Sequence, residues 1–286
     1  MQHLKDKVAV VTGAASGIGL AIATRCAQEG MRLVLADIEE PALAHASDAI
    51  RQSGARILSQ RVDVSSAPEV DALADAAYRE FGAVHLVCNN AGVGGVGAPA
   101  WSQTLDAWRW VINVNLLGVI HGVHSFVPRM LASGEEGRIV NTASLAGLTS
   151  GPMISPYYAT KHAVVALSES LSMELAMTGA KVSVSVLCPA FVKTRIAESN
   201  RNRPESGNFG AWSGEFHALV QAMVEQGIPA EAVAGAVIDA VKEQRFWILT
   251  HPEFEARIRE RVEDMLAGRN PKPQVQLAAA RAGNPA

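Results

Sequence analysis

Short apolar runs rich in Val, Ile and Leu alternate along the chain with longer segments whose apolar residues recur at helical spacing. The runs Val8–Val11, Arg32–Ala36, Arg56–Val62, Val84–Cys88, Arg138–Asn141, Val182–Leu187 and Phe246–Leu249 predict strands. The segments Ile18–Gln28, Pro41–Gln52, Glu69–Phe81, Leu105–Leu131, Tyr157–Met177 and Ala230–Glu243 predict helices. Near-continuously apolar strands alternating with helices predict an α/β fold, a mostly parallel sheet covered on both faces.

No linker or repeat divides this alternation, so residues 1–250 are expected to form one domain. Two regions depart from it. Residues 193–226 are rich in Asn, Arg, Ser, Gly and aromatics, which suits an irregular lid between strand and helix. Residues 251–286 form a C-terminal extension with a charged segment, Glu253–Asp264. Pro271, Pro273 and Pro285 then mark a loose end. The segments Leu105–Leu131 and Tyr157–Met177 are apolar on more than one face. One stripe covers the sheet, and the surplus predicts subunit contact in a homodimer or homotetramer.

Composition narrows the class. A chain of 286 residues that is 49% hydrophobic and 19% charged buries a large core. Its net charge of −3, with no basic run, gives no footprint for nucleic acid. No apolar stretch runs unbroken to membrane-spanning length, and the first residues lack a signal-peptide apolar region. Cys26, Cys88 and Cys188 are scattered and outside any metal-binding spacing, so a reduced, cytoplasmic protein without a metal site is expected.

The candidate chemistry lies where strands end. Thr12-Gly13-Ala14-Ala15-Ser16-Gly17-Ile18-Gly19 joins the first strand to the first helix. Gly13, Gly17 and Gly19 let the backbone turn sharply, and the helix amino terminus at Ser16 and Ile18 offers free N–H groups to a pyrophosphate. Asp37 ends the second strand, placed to accept adenosine ribose hydroxyls or to cap the next helix. A carboxylate there also repels a 2′-phosphate. No Lys or Arg within Ala14–Ser16 or at Ile38 offsets it, so NAD is expected over NADP. Asp63 and Val64 follow the third strand and Asn90, Ala91 and Gly92 the fourth, at further carboxyl ends of strands. Asp63 is placed to meet the adenine amino group. Asn90 reads either as a cofactor contact or as a loop residue bonded to neighbouring backbone.

Tyr157 and Lys161 lie four apart, on one face of a helix start, and Ser144 ends a strand a short loop earlier. A free phenol titrates near 10, so a base working near neutrality needs about 4 kcal/mol of help. The Lys161 ammonium supplies one positive charge and an oxidised nicotinamide a second. Ser144 is placed to donate to a substrate oxygen. Asn115, mid-helix among apolar residues, reads either as the holder of a proton-relaying water or as an amide bonded to a nearby carbonyl.

Taken together, Thr12-Gly13-xxx-Gly17-x-Gly19, Asp63, Asn89-Asn90-Ala91-Gly92, Asn115, Ser144 and Tyr157-xxx-Lys161 resemble the short-chain dehydrogenase/reductase family in its single-domain branch. The resemblance covers roughly residues 7–250. It implies a Rossmann-type, doubly wound, seven-stranded sheet and a Ser–Tyr–Lys–Asn catalytic set. It also implies that Pro189, Val192 and Thr194 meet the cofactor. The chain departs from the pattern at Ala190, where the family commonly has Gly, and in the extension. Val93, Met153, Ile154, Phe191, Phe209, Trp212 and Phe216 are expected to wall an apolar pocket where few charges converge. The expected reaction is reversible oxidation of a lipophilic secondary alcohol to a ketone. An NADPH-dependent ketone reductase and a non-catalytic dinucleotide sensor are the alternatives.

Overall fold

The computed structural model describes residues 1–95, 97–210 and 214–272. Trp212 and the end of the chain from residue 273 onward, including Pro273 and Pro285, therefore lie outside the described residues. The strands are β1 (Val8–Thr12), β2 (Arg32–Asp37), β3 (Ile57–Arg61), β4 (Leu86–Asn89), β5 (Gly137–Thr142), β6 (Val182–Leu187) and β7 (Trp247–Ile248). They form one sheet in the order β3-β2-β1-β4-β5-β6-β7, with every pairing parallel. This is the doubly wound, seven-stranded arrangement.

The helices are α1 (Gly17–Gln28), α2 (Glu40–Arg51), α3 (Ala67–Phe81), α4 (Leu105–Ile112), α5 (Gly118–Ser133), α6 (Ser155–Thr178), α7 (Gly214–Glu225), α8 (Ala230–Glu243) and α9 (Glu255–Leu266). Alternation along each strand splits the core into two layers. Ala9 and Val11 of β1 pack with Leu33, Leu35, Cys88 and Val140 against α1 and α8. Val8 and Val10 pack with Val34, Val87 and Ile139 against α3, α5 and α6. Each of these residues is fully buried, which explains why the strand segments read as continuous apolar runs.

The segment expected as one helix, Leu105–Leu131, is continuous to Ser133 but carries a π turn, Asn113–Leu117, in which Gly118 N–H bonds to the Asn113 carbonyl. Leu105–Ser133 is long and apolar enough to cross a membrane by length and composition, contrary to the expectation from sequence. Gly, Asn and His within it interrupt the run without lowering its average. Half of its most apolar stretch is buried, and it packs on β4, α3 and α6, as a core helix does. Gly122 of α5 meets Asn89 of β4 so closely that a Cβ would overlap the amide. That amide donates to Asn141 Oδ1 at 2.9 Å, and Asn141 donates to Ser168 Oγ of α6 at 3.1 Å. A polar ladder thus crosses the core with its members bonded to one another.

The lid is more regular than expected. Ile196–Asn202 is a 3-10 helix and Gly214–Glu225 is α7. Phe216, Leu219, Val220 and Met223 recur at helical spacing there and form one apolar stripe. Polar residues around that stripe masked it in the sequence.

Gly122→Ala is expected to lower unfolding free energy by about 1–3 kcal/mol through overpacking against Asn89. Urea denaturation checks this, and an unchanged midpoint would contradict the packing described.

Candidate active site

One cleft of about 350 Å³ runs along the carboxyl ends of the strands, where β1 and β4 part. Its lining joins the glycine turn to the Ser144, Tyr157 and Lys161 side chains.

At one end the β1–α1 turn is built for close approach. Gly13 (φ 66°) and Gly17 (φ 55°) adopt left-handed backbone that side chains disfavour. A Cβ on Gly19 would overlap the Gly13 carbonyl. Asn90 Nδ2 donates to the Thr12 carbonyl at 3.0 Å, and Asn90 and Ala91 N–H both donate to Thr12 Oγ1. Asn90 thereby braces the turn, as the loop-residue reading has it, while still lining the cleft. α1 begins at Gly17 with its amino terminus toward the cleft, and Ser16, Gly17 and Ile18 line it. A dinucleotide fits this cradle, since the glycines keep it open to a pyrophosphate at a helix start.

Asp37 Oδ2 accepts from Ala15 N–H at 2.9 Å and Oδ1 from Glu39 N–H at 3.0 Å. Burial raises its pKa from the ordinary value despite those bonds. Asp63 Oδ1 accepts from Ser65 N–H and Oγ, closing a tight turn. Asp63, Val64, Ala91, Gly92, Pro189, Val192 and Thr194 all line the cleft. Thr194 packs over Gly17.

The lid brings two arginines to this end of the cleft. Arg201 pairs with Glu39 at 2.7 Å, Arg195 lies 3.9 Å from it, and Asn202 donates to it at 3.0 Å. These contacts hold the Glu39 carboxyl below its usual range against the opposing effect of burial. They also fasten the lid to the end of β2 beside Asp37. Cations absent from the nearby sequence therefore do reach this end, and Glu39 engages them.

At the other end Tyr157 and Lys161 stand in the first turns of α6, with the Lys161 ammonium 5.5 Å from the Tyr157 ring centre. Lys161 Nζ donates to the Thr142 carbonyl at 2.8 Å. Burial lowers its pKa from 10.5 to about 8. Burial pushes the Tyr157 phenol up, opposed by its hydrogen bond to Ser144. The expected lowering counted on an oxidised nicotinamide beside Lys161, and without that second charge burial prevails. Ser144 Oγ also accepts from Ala146 N–H at 3.1 Å and lies 3.2 Å from the Pro189 carbonyl.

Asn115 sits in the π turn, fully buried. Its Oδ1 accepts from Val93 N–H at 2.8 Å and its Nδ2 donates to the Val93 carbonyl at 2.9 Å. Both ends of the amide are engaged by backbone, which favours the structural reading of this side chain over the water-holding one. Asn115 and Lys161 flank Gly92, where a Cβ would sit 3.3 Å from Asn115 Oδ1 and 3.7 Å from Lys161 Nζ.

Of the expected pocket wall, Val93, Ile154, Phe191 and Phe216 line the cleft. Met153 and Phe209 are not among its lining residues. The Met153 carbonyl bonds Ala98 and Gln103, and Phe209 packs edge-on against Trp110. Leu219, Val220 and Met223 of α7 join the wall instead, as do Phe254 and Arg257 from the extension. Arg257 is one charge at this end, where few were expected to converge. A charged run such as Glu253–Asp264 carries no signal of which member turns inward.

The family model described as short chain dehydrogenase matches residues 7–205. A 1-deoxy-11-beta-hydroxypentalenate dehydrogenase of Streptomyces avermitilis is 37% identical, over 92% of this chain and 91% of its own. A solved short-chain dehydrogenase/reductase of Burkholderia phymatum in complex with NAD is 46% identical, with a TM-score of 0.93 over 96% of this chain and 99% of that one. An actinorhodin polyketide ketoreductase with NADPH is 30% identical, with a TM-score of 0.72 over 87% and 97%.

In the unfolded chain Lys161 titrates near 10.5 and in the folded chain near 8. Between those values the unfolded state binds more protons, so stability from this group rises with pH. Wild type is expected to gain on Lys161→Met across that window, by up to about 1.4 kcal/mol per pH unit. Urea unfolding of both at several pH values checks this, and a constant difference would contradict it.

Proposed function

The chain belongs to the short-chain dehydrogenase/reductase family, and we propose that it reversibly oxidises a lipophilic secondary alcohol to a ketone with NAD. Family membership makes it an NAD(P)-dependent oxidoreductase acting on CH–OH groups. The observation that carries the finer reading is the convergence of Ser144, Tyr157 and Lys161 in the cleft that also holds the glycine turn.

Oxidation of an alcohol removes a hydride and a proton. When bound, the oxidised dinucleotide supplies the hydride acceptor and a positive charge. Gly13, Ser16, Gly17, Ile18 and Gly19 cradle its pyrophosphate, and Asp37 takes the adenosine ribose. Asp63, Val64, Asn90, Ala91, Gly92, Pro189, Val192 and Thr194 complete its site. Tyr157 Oη receives the alcohol proton, while Ser144 Oγ turns from the Pro189 carbonyl to hold the substrate oxygen. Lys161 stabilises the phenolate from the same helix face and bonds the nicotinamide ribose. Asn115 positions these groups through Val93 and the Gly92 loop. Burial pushes the phenol up in the chain alone, and the positive charge that the oxidised cofactor would bring favours its ionised form.

Asp37 and the Glu39–Arg201 pair support NAD. Both carboxylates line the adenosine end, and Glu39 neutralises the arginines that would otherwise welcome a 2′-phosphate. The apolar wall of Val93, Trp110, Phe191, Phe216, Leu219 and Met223 supports a lipophilic substrate. Half-exposed Ile120 on α5 and exposed Met173 and Met177 on α6 support a homodimer or homotetramer. Three buried free cysteines support a reducing, cytoplasmic setting.

Tyr157→Phe is expected to lower kcat about 10²–10⁴-fold on a panel of secondary alcohols. Dinucleotide binding, read by fluorescence titration, should persist. Unchanged turnover would remove Tyr157 from the chemistry, and tighter binding of NADP+ than of NAD+ would overturn the reading of Asp37.

A further inference from the structure

The chain beyond β7 returns to the substrate end of the cleft. Pro252–Phe254 makes a 3-10 turn, α9 follows, and Phe254 and Arg257 join the lining. α9 has no fully buried residue, and its other charged side chains face solvent for the most part. Arg257 is partly buried at the cleft wall.

No carboxylate among the described residues makes an ion pair with Arg257. Of the other arginines that line the cleft, Arg195 and Arg201 both pair with Glu39, whereas Arg259 and Arg261 of α9, like Arg257 without an ion pair among the described residues, are exposed to solvent. Glu253 and Glu260, one turn away on either side of Arg257, are exposed. The Arg257 guanidinium instead stands close enough to the phenol of Tyr158 to oppose the upward push of burial on it, and Tyr158 also lines the cleft. The acidic residues of the cleft, Asp37, Glu39 and Asp63, belong to the strand ends that serve the dinucleotide. Among the described residues, the substrate end therefore holds a guanidinium and a phenol hydroxyl among Trp110, Ile154, Phe216, Leu219, Met223 and Phe254, with no carboxylate beside them.

A guanidinium in apolar surroundings is favourable only when an anion or several acceptors answer it. Its planar fork fits a carboxylate in two parallel hydrogen bonds. We propose that Arg257, with Tyr158, reads a carboxylate on the substrate, set apart from the carbinol carbon by an apolar body. A single guanidinium matches a single negative charge; a phosphate dianion would call for more donors than this wall offers. The proposal rests on the reading of the cleft as an alcohol-oxidising site and narrows its substrate class to lipophilic hydroxy acids. It also gives the extension a role, as the carrier of the specificity-determining residue.

The test uses (ω−1)-hydroxy carboxylic acids from octanoate to dodecanoate, each beside its methyl ester, with the full chain and NAD+. Initial rates give the acid-to-ester ratio of kcat/KM, and tryptophan fluorescence gives binding of the same pairs without turnover. At the chain length that spans the cleft, wild type is expected to favour the acid. Arg257→Ala should cut that ratio about tenfold or more, the worth of a charge-assisted hydrogen bond. Arg257→Lys should restore part of it. An acid-to-ester ratio that Arg257→Ala leaves unchanged, or an ester preference at every length, would overturn the proposal. Oxidised esters without an acid preference would sink the anion site and leave the alcohol-oxidising reading intact. Arg257-dependent binding of acids with nothing oxidised would sink that reading and leave the anion site standing.

Discussion

A sheet whose strands all run the same way must place every strand's carboxyl end on one edge, and this constraint organises the molecule. Thr12, Asp37, Asp63, Asn90, Ser144 and Pro189 are far apart in sequence, yet each ends or follows a strand and each lies on that edge. The sheet order puts β1 beside β4, so the connections leaving them pass to opposite faces and open a crevice between them. Helices on both faces then exclude water from everything except the crevice. Its polar groups are held by backbone: Asn90 by the β1 turn, Asn115 by Val93, Lys161 by Thr142.

Burial sets the electrostatics of the catalytic end. It pushes the Tyr157 phenol up and brings the Lys161 ammonium down to about 8. Both groups therefore drift toward neutrality when the chain stands alone. Lys161 Nζ keeps one carbonyl partner, that of Thr142. An added positive charge beside the phenol favours its ionised form, and burial makes that charge count for more than it would in water. On this account the charge of the bound cofactor, acting on the buried phenol, is what couples proton transfer to cofactor binding.

Much of this was legible because it is local. The glycine turn, the strand that precedes it and the helix that follows lie within one short run, and Tyr157 and Lys161 share one helix face. Continuous apolar runs in the strands and helical recurrence in the helices placed the elements without knowledge of their partners. What escaped was carried by long-range contact. Glu39 meets Arg201 across 162 positions, and no spacing rule links them. Arg257 lies in a charged run whose pattern is that of any solvated helix. Asn115 was ambiguous because sequence does not say which backbone groups a buried amide will find. Met153 and Phe209 are apolar and close to the site, and only packing decides that Phe209 turns to Trp110 instead.

The central claim is that this cleft moves a hydride from a carbinol carbon to NAD while Tyr157 takes the proton. Isotope transfer tests it most directly. A secondary alcohol deuterated at the carbinol carbon is incubated with the protein and NAD+, and the reduced dinucleotide is recovered for mass and proton NMR spectra. The account predicts one deuterium on C4 of the nicotinamide for each ketone formed, on a single face of the ring. Ketone formed without deuterium on the nicotinamide, or deuterium scrambled over both faces, would contradict it.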